Sequence, residues 1–442
     1  MADEKKDEKK EEKKEEKKEE KKEEKKEEEK KEEKKDAPAD GGGKDKDKGK
    51  DKGKDKKKKE GDKLQKQRTS IALLMITSVF VLAFPKLTNE YIPGFNSKMG
   101  KLYMQHIFPL ITLPFSWLCS KSPVSVGEIL IIAMLVMILL SLIIVIAVSA
   151  SKKVVADKKK KVRRFFGYFW AWAITYVLVT ETFNCYALYN APAFTEVFTE
   201  YPGETYTAAE LEELAEYLIY ETNILSYSVN RDSEGKFILT ADLDDTARAS
   251  MKALAKEYPQ LKGFYTTPKE IKNSFFMSQT GLTGIYFPFT MEANYNGDMV
   301  ELNLPETVCH ELAHTKGFIR EDEANFIAFL ACYTSDDPDY RYSGCIQALK
   351  YVLGKCDENC DPDTVNWLYG SLYEGVLIDL DANAEYWQSV QESDEGVFDS
   401  EKVAEVSDKA MEASLQFGGV EDGKKSYGRM VDLMLDWYYN VR

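Results

Sequence analysis

Residues 304–331 read LPETVCHELAHTKGFIREDEANFIAFLA, and the rest of the chain is interpreted around this stretch. Its pentapeptide HELAH, at positions 310–314, sets His310 and His314 four positions apart, so a helix brings both imidazoles to one face, where they can bind one metal ion. Glu311 then lies beside that ion as a general base. The pattern predicts Zn²⁺ as the cofactor and hydrolysis, most often of a peptide bond, as the chemistry.

The histidine content of the chain makes this pattern specific. Only three histidines occur in 442 residues, and two of them fall in HELAH. Coincidence is therefore a poor explanation. The alternative is a surface helix whose two histidines only cap the helix or contact solvent.

The flanks of the motif predict a helical hairpin. Pro305 suits the first turn of a helix, and Gly317 suits its end, where a left-handed residue is needed. The chain restarts after Arg320 with an acidic segment, which is typical of a helix N-terminus. A short helix, a tight turn and a second helix follow from these signals.

The second helix is expected to supply the third metal ligand. Glu321 shares a face with Ala324, Ala328 and Ala331 by three- and four-residue spacing, and these small residues let the two helices approach closely. Glu323 points about 200° away from Glu321 at roughly 100° per residue. Helical phase therefore favours Glu321, although a non-helical turn would bring Glu323 inward instead.

Two resemblances support this interpretation. Residues 321–325, EDEAN, are similar to the E-x-x-A-[DN] motif of gluzincin peptidases, which implies that Glu321 is the third zinc ligand and that Asn325 supports it. The chain also resembles an uncharacterised bacterial family of membrane-anchored proteins, from the first apolar run to near the C-terminus. The shared words PFTxEANxN, CHELAH, GFxREDEANF and RYSG stand at 288–296, 309–314, 317–326 and 341–344. This family implies no substrate.

A different peptidase class is excluded by one residue. The spacing H-E-x-x-H-x-x-G also fits metzincins, but the third histidine of that pattern would fall on Arg320. Arginine cannot ligate a metal.

The expected fold class of the outer domain is mainly α with a small β-sheet (α+β), zincin-like, and attached to a three-helix transmembrane region. Thr207 opens a capping box for a helix that runs to about Ile224, and Asp245 is expected to cap a helix that runs to Tyr258. Short strands are expected at 237–240 and 284–295. Further amphipathic helices are expected at 343–353, 363–380, 399–417 and 427–439.

The strand before the metal helix is expected to bind substrate. In the resembling metallopeptidases an edge strand beside the active-site helix pairs with an extended peptide, which makes 286–290 the candidate here. Glu292 either contacts substrate or is plain structure. A donor to the oxyanion is also needed, and Tyr286, Arg341 and Tyr342 are the candidates.

The N-terminal 190 residues divide into a tail and a membrane region. Residues 1–63 are nearly all Lys, Glu, Asp and Gly, so they cannot bury a core and are expected to form a disordered cytoplasmic tail; a tether to lipid headgroups or ribosomes is the alternative. Residues 64–190 form the transmembrane region. Its apolar runs predict spans at about 70–87, 124–148 and 165–188.

The loop between the second and third expected spans fixes the orientation. Residues 152–164 are rich in Lys and Arg, which places them in the cytoplasm. The protein is then a multi-pass plasma-membrane protein whose N-terminus is cytoplasmic and whose domain at 191–442 is extracytoplasmic. Glu181 either serves a function inside the membrane or reaches water near the outer end. His106 is expected to be structural.

The outer domain is acidic, which excludes nucleic acid as a partner. The acidity favours basic substrates or simply keeps the domain soluble. Among seven cysteines, Cys356 and Cys360 are close enough for a disulfide, whereas Cys309 points away from the metal and is expected to be buried.

The leading hypothesis is a membrane-anchored zinc peptidase that hydrolyses peptide bonds at the outer face of the membrane. Its partners are a peptide or protein substrate and membrane lipid. The alternative is a non-catalytic zinc-containing membrane sensor or envelope scaffold, which has no need of Glu311. An intramembrane protease is disfavoured because charged residues such as Glu306, Lys316, Arg320 and Asp322 surround the motif.

Overall fold

The computed structural model describes residues 47–88, 95–194, 206–393, 400–418 and 429–442. The chain divides into two units, Met1–Thr69 and Ser70–Arg442, and the core and the candidate site described below belong to the second. Most of the expected tail at 1–63 lies outside the described residues.

The described part of the chain is mainly helical, with two small sheets, which confirms the α+β class. The helices are α1 Asp47–Thr88, α2 Phe95–Leu102, α3 Phe108–Cys119, α4 Val126–Ala150, α5 Ala156–Asn184, α6 Ala208–Ser226, α7 Leu243–Glu257, α8 Ser274–Gln279, α9 Leu304–His314, α10 Glu321–Tyr333, α11 Pro338–Asn359, α12 Pro362–Gly370, α13 Glu374–Glu392, α14 Ser400–Gly418 and α15 Arg429–Asn440. The strands are β1 Asn230–Arg231, β2 Phe237–Ile238, β3 Lys269–Ile271, β4 Gly284–Phe287 and β5 Glu292–Asn296.

Two helical segments among the described residues are long and apolar enough to cross a membrane, Gly61–Ala83 and Val126–Ala150. The sequence predicted three. Helix α5 covers most of the expected third span at 165–188, but it ends at Asn184. Its Tyr, Trp and Thr residues, together with Glu181, make it less apolar than the other two. The number of strongly apolar spans is therefore corrected to two.

Strands β3, β5 and β4 form a sheet in that order, with β3 parallel and β4 antiparallel to β5. The sequence predicted one strand over 284–295. The chain instead folds back as a hairpin, whose turn is closed by the Met291 amide donating to the Phe287 carbonyl at 2.7 Å. Met291 has φ 59°. Pro288, directly after β4, is a sequence signal of this turn, but the β-favouring residues around it favour a continuous strand. Strand β4 is an edge strand, but it contains only residues 286 and 287 of the expected segment 286–290, and residues 288–290 lie in the turn.

The expected helical hairpin is confirmed. Helix α9 has Pro305 in its first turn, Gly317 has φ 95°, and α10 begins directly after Arg320. The stripe Ala324, Ala328 and Ala331 is fully buried. The small residues thus let α10 pack closely against its neighbours.

Other helix boundaries follow local signals with three exceptions, of which one is α11, Pro338–Asn359, which extends beyond the expected 343–353 at both ends. Thr207 forms the expected capping box of α6. Helix α7 is capped by Asp242 rather than Asp245, because its first turn starts earlier and the Asp242 carboxylate accepts from the Asp245 amide at 2.8 Å. The expected helix at 363–380 is two helices, α12 and α13, which are separated after Gly370.

The main core includes residues that precede position 191. Met104, Phe108 and Leu188 are buried in the same cluster as Leu312 and Phe326. The chain before 191 therefore contributes directly to the packing around helices α9 and α10.

Candidate metal centre

Helices α9 and α10 bring three potential metal ligands together. His310 and His314 lie one turn apart on α9, and Glu321 opens α10. The His310 Nε2 atom is 3.1 Å from Glu321 Oε2, and His314 Nε2 is 3.8 Å from Glu321 Oε1. The three ligand atoms lie within 4.8 Å of one another, so this group can hold a metal ion.

The second nitrogen of His314 is already engaged. Its Nδ1 lies 2.7 Å from the carbonyl oxygen of Phe318, just beyond the turn at Gly317. A proton on Nδ1 would be donated to this carbonyl, which leaves Nε2 with a free lone pair that faces Glu321. Such a backbone contact is the usual way in which a protein orients a histidine ligand. The turn between the two helices therefore orients a candidate ligand.

The structure separates Glu321 from Glu323. Glu323 is buried and forms an ion pair with Arg320 at 3.2 Å, away from the histidines. Burial raises the pKa of Glu323 to about 7, although Arg320 opposes the shift. Helical phase thus selected the carboxylate that the structure places in the cluster.

Glu311 lies beside the cluster and is buried. Its Oε2 atom has no hydrogen-bond partner among the described residues. Its carboxyl group packs against the backbone of Gly284 in β4: a Cβ at Gly284 would lie 2.7 Å from Glu311 Cγ and 2.8 Å from Cδ. Only glycine leaves room for this carboxylate between α9 and the edge strand.

The acids of the cluster change the pKa values of the histidines, and burial changes the pKa values of both. Burial lowers the pKa of His310, but Glu321 and the nearby Glu311 and Glu306 outweigh this effect and raise it to about 10. Burial lowers the pKa of His314 to about 4. Burial also raises the pKa of Glu311 to about 8. A cation bound among these groups would favour the ionised acids and the neutral imidazoles.

The cluster lies in a cleft of about 830 Å³. Strand β4 lines one side, and the helices α9, α10 and α11 line another. The end of α5 and the turn that follows it also contribute, through Glu181, Cys185 and Tyr189. Two expected site residues, Tyr286 and Asn325, lie in the wall of this cleft.

The contacts of these two residues differ from the expectation. The Tyr286 hydroxyl donates to the Asn184 carbonyl at 3.1 Å, which ties β4 to the end of α5. The Asn325 amide donates to the Tyr351 hydroxyl at 3.3 Å. The structure therefore binds Asn325 to Tyr351 in the cleft wall, and Tyr286 to the backbone carbonyl of Asn184.

The structure does not bring Glu292 to the cluster. Its carboxylate is fully buried, forms an ion pair with Lys269 at 2.5 Å, and accepts from the amides of Val126 and Gly127 at 3.0 and 2.7 Å. These amides begin helix α4, where unpaired N–H groups attract an anion. The buried Glu292 carboxylate therefore binds the N-terminus of α4. Its side chain faces that helix and not the cleft.

Arg341 and Tyr342 also lie elsewhere. Arg341 is 3.8 Å from Glu221 of α6. The Tyr342 hydroxyl donates to Asp379 at 2.6 Å, and Asp379 in turn is paired with Arg231 at 2.9 Å. Helix α11 turns both side chains away from the cleft and toward the packing of α6, α13 and the β1–β2 pair. Neither residue is placed to stabilise an oxyanion at the cluster.

Several cleft residues escaped the sequence interpretation. Glu306 precedes His310 by four positions and is buried in the cleft, where burial raises its pKa. Tyr351 and Lys350 reach the cleft from α11. The four-residue spacing before His310 signals Glu306, whereas nothing local signals Tyr351, because its position depends on how α11 packs against α10.

The remaining expectations concern cysteine and histidine. Cys309 is fully buried, as expected. Cys356 and Cys360 are both free thiols at the end of α11. His106 lies in a π-helical turn, Tyr103–Ile107, next to the N-terminal side of α3. None of these residues lines the cleft.

Comparison with known families adds one finding. A family described as "Protein of unknown function (DUF3810)" matches residues 103–435, which include α3 to α14 and most of α15. No curated protein and no solved structure matches the chain.

Proposed function

This chain belongs to the family described as "Protein of unknown function (DUF3810)", and from its own residues we propose that it is a membrane-anchored zinc peptidase with a gluzincin-like core. One observation carries the proposal. The carboxylate of Glu311 is buried beside the His310, His314 and Glu321 cluster, in a cleft whose wall is an edge strand. A metal site with a purely structural role needs no such carboxylate.

Zinc is the metal that the donor set favours. Two imidazole nitrogens and one carboxylate oxygen suit Zn²⁺, and three protein ligands are typical of catalytic rather than structural zinc. The contact between His314 Nδ1 and the Phe318 carbonyl supports this choice because it leaves Nε2 available to a metal. Zinc bound there would supply Lewis acidity toward a water molecule and a substrate carbonyl.

Glu311 supplies the proton transfer. Its carboxylate accepts a proton from the attacking water and then delivers that proton to the nitrogen of the leaving amine. The backbone of Gly284 holds the carboxylate in place, and the hydrophobic burial of α9 restricts its movement. A glutamine at this position keeps the shape and cannot accept the proton.

Strand β4 provides a place for an extended substrate. Its residues Gly284–Phe287 line the cleft, and β5 pairs with only one of its edges. A peptide can add to the other edge by backbone hydrogen bonds. Among the tyrosines in the cleft, Tyr351 and Tyr189 are our candidates for the oxyanion donor, because the Tyr286 proton is donated to Asn184.

We propose that the less apolar α5 crosses the membrane in addition to the two apolar spans, with the cleft outside. Helices α4 and α5 pack side by side, and the Trp170 indole donates to Ser141 at 3.1 Å. Helix α5 therefore returns beside α4 from the basic loop at 152–164 to the cleft. Because that loop is rich in Lys and Arg, it belongs in the cytoplasm, and the other ends of α4 and α5 lie at the outer face.

The test uses the full-length protein in detergent, loaded with zinc, and a library of unstructured peptides. Hydrolysis is expected, with loss on chelation and recovery on addition of zinc. Glu311→Gln is expected to keep the zinc content of the wild type and to lose about 10²–10⁴ in rate. Glu270→Gln, which changes an exposed acid on β3, is the control and should leave the rate unchanged. A zinc-bound protein that cuts no peptide would favour a sensor or scaffold, whereas an equally active Glu311→Gln variant would show that Glu311 is not the general base.

A further inference from the structure

The strands beside the cleft contact α4 and α5, the helices proposed to enter the membrane. Glu292 of β5 accepts from the first amides of α4, and Glu128 of α4 accepts in return from the amides of Lys272 and Asn273 at 3.0 and 2.9 Å. Phe287 packs on Gly127 so closely that a Cβ there would overlap its ring. The strand that lines the cleft is thus fixed to the start of an apolar helix of 25 residues.

Helix α5 holds the same hairpin from its other side. The Asn184 side chain donates to the Pro288 carbonyl at 2.7 Å, and the Tyr176 hydroxyl donates to the Phe289 carbonyl. These two residues are eight positions apart, or about 12 Å along a helix. The β4–β5 turn therefore lies along the last two turns of α5. The same end of α5 lines the cleft with Glu181 and Cys185.

Helix α3 presents an apolar face beside this attachment. Leu110, Trp117 and Leu118 are 74%, 51% and 63% exposed, and the Lys121 ammonium lies 4.3 Å from the Trp117 ring centroid. Aromatic and basic side chains of this kind are typical of the membrane–water interface. Helix α3 leads into α4 through the short segment 120–125. Lipid is the occupant that fits this face, because the face is continuous with a membrane span.

The β4–β5 pair limits the distance between the Glu311 carboxylate and the start of α4. Glu292 is opposite Phe287, which is roughly 5 Å across the pair. Phe287 is three residues from Gly284, or roughly 10 Å along the strand, and Gly284 touches Glu311. Glu311 is therefore at most roughly 20 Å from the first turn of α4, a distance that about six extended residues can cover.

We infer that the substrate is a membrane-anchored protein and that the segment cut is the first stretch of chain that leaves its own membrane span. This inference rests on the proposed peptidase function. A substrate held in the same bilayer presents that segment at the height of the cleft and at a high effective concentration. A soluble peptide has neither advantage, and it must reach a cleft whose wall is the end of a membrane helix.

The test places full-length protein in lipid vesicles with two matched probe pools. One pool carries an apolar helix of about 20 residues, a randomised outer segment of about 15 residues and a fluorescent reporter. The other pool carries the same segments and reporter without the helix. At equal total concentration the anchored pool should be cut at least about tenfold faster, within about ten residues of its span. Glu311→Gln is the blank for both pools.

A probe with a spacer distinguishes two causes of faster cleavage, which are the height of the cleft above the membrane and the anchoring of both proteins in one membrane. A helical spacer of about 20 residues, about 30 Å long, inserted between the probe span and a segment that is cut should slow its cleavage at least about tenfold. Equal cleavage of free and anchored pools, or no effect of the spacer, would overturn the substrate class and leave the peptidase proposal intact. Cleavage of neither pool would overturn both.

Discussion

The backbone of Gly284 lies directly against the side chain of Glu311, with space for a hydrogen and not for a methyl group. Gly284 belongs to the edge strand β4 and Glu311 to the metal helix α9. The position of the proposed general base is therefore set by a strand that supplies no ligand to the cluster.

Gly284→Ala should displace the Glu311 carboxylate and lower the hydrolysis rate by about 10²-fold, the cost of an ångström-scale misplacement. Zinc content should stay at the wild-type level, because the three ligands do not touch Gly284. Gly354→Ala is the control, since a Cβ there meets no atom within 4 Å. Equal rates for the two variants would show that Glu311 is not held by this contact.

Glu321→Ala should weaken zinc binding by orders of magnitude, and Glu323→Ala should leave it nearly unchanged. The first removes one of three ligands, and the second removes a partner of Arg320 that lies outside the cluster. Metal content after dialysis against a weak chelator decides between them. Retention in the first variant and loss in the second would identify Glu323 as the ligand.

The local part of this site was predictable and the rest was not. HELAH, Pro305 and Gly317 act within one or two helical turns, so spacing alone indicated α9, its end and the face that carries Glu321. Glu292 could not be interpreted in this way, because its partners Val126 and Gly127 are separated from it by more than 160 residues. The same holds for Tyr342, whose partner Asp379 is on another helix. Tertiary contacts between distant segments leave no periodic signal in the chain.

Glu292→Gln should lower the free energy of unfolding by about 3–5 kcal/mol, because it leaves the buried Lys269 without its counter-charge. Glu270→Gln breaks a solvent-exposed pair with Lys272 in the same region and should cost at most about 1 kcal/mol. Denaturant unfolding of the purified protein in detergent measures both. Similar losses in the two variants would contradict a stabilising role for the buried pair.

Asp244→Asn should stabilise the protein at neutral pH. Burial, with help from Asp242, raises the pKa of Asp244 to about 6 in the folded state, whereas an unfolded aspartate has a pKa of about 4. The folded state binds this proton more tightly, so the free energy of unfolding falls as pH rises from about 4 to about 6. The variant lacks this loss, and its advantage in Tm should grow across that window and then stay constant. An advantage that does not change with pH would refute the assignment.

Protease added to intact cells should cut within residues 191–442, and the basic loop at 152–164 should resist until the membrane is broken. The positive charge of that loop predicts that it lies in the cytoplasm. Fragment masses and antibodies to each end of the chain locate the cuts. Cleavage of the loop from outside, with protection of the later residues, would reverse the orientation.

The bond between Glu292 and the first turn of α4 also has a consequence for the order of assembly. The sequence of α4 is synthesised long before that of β5, so the membrane helix can already offer its free N–H groups when the hairpin closes. Glu292 and Lys269 therefore acquire their full set of partners only when the first turn of α4 is already in place. A fragment that starts at residue 191 would bury both charges without α4, so the part of the chain that carries the candidate metal centre matures as an extension of this apolar helix.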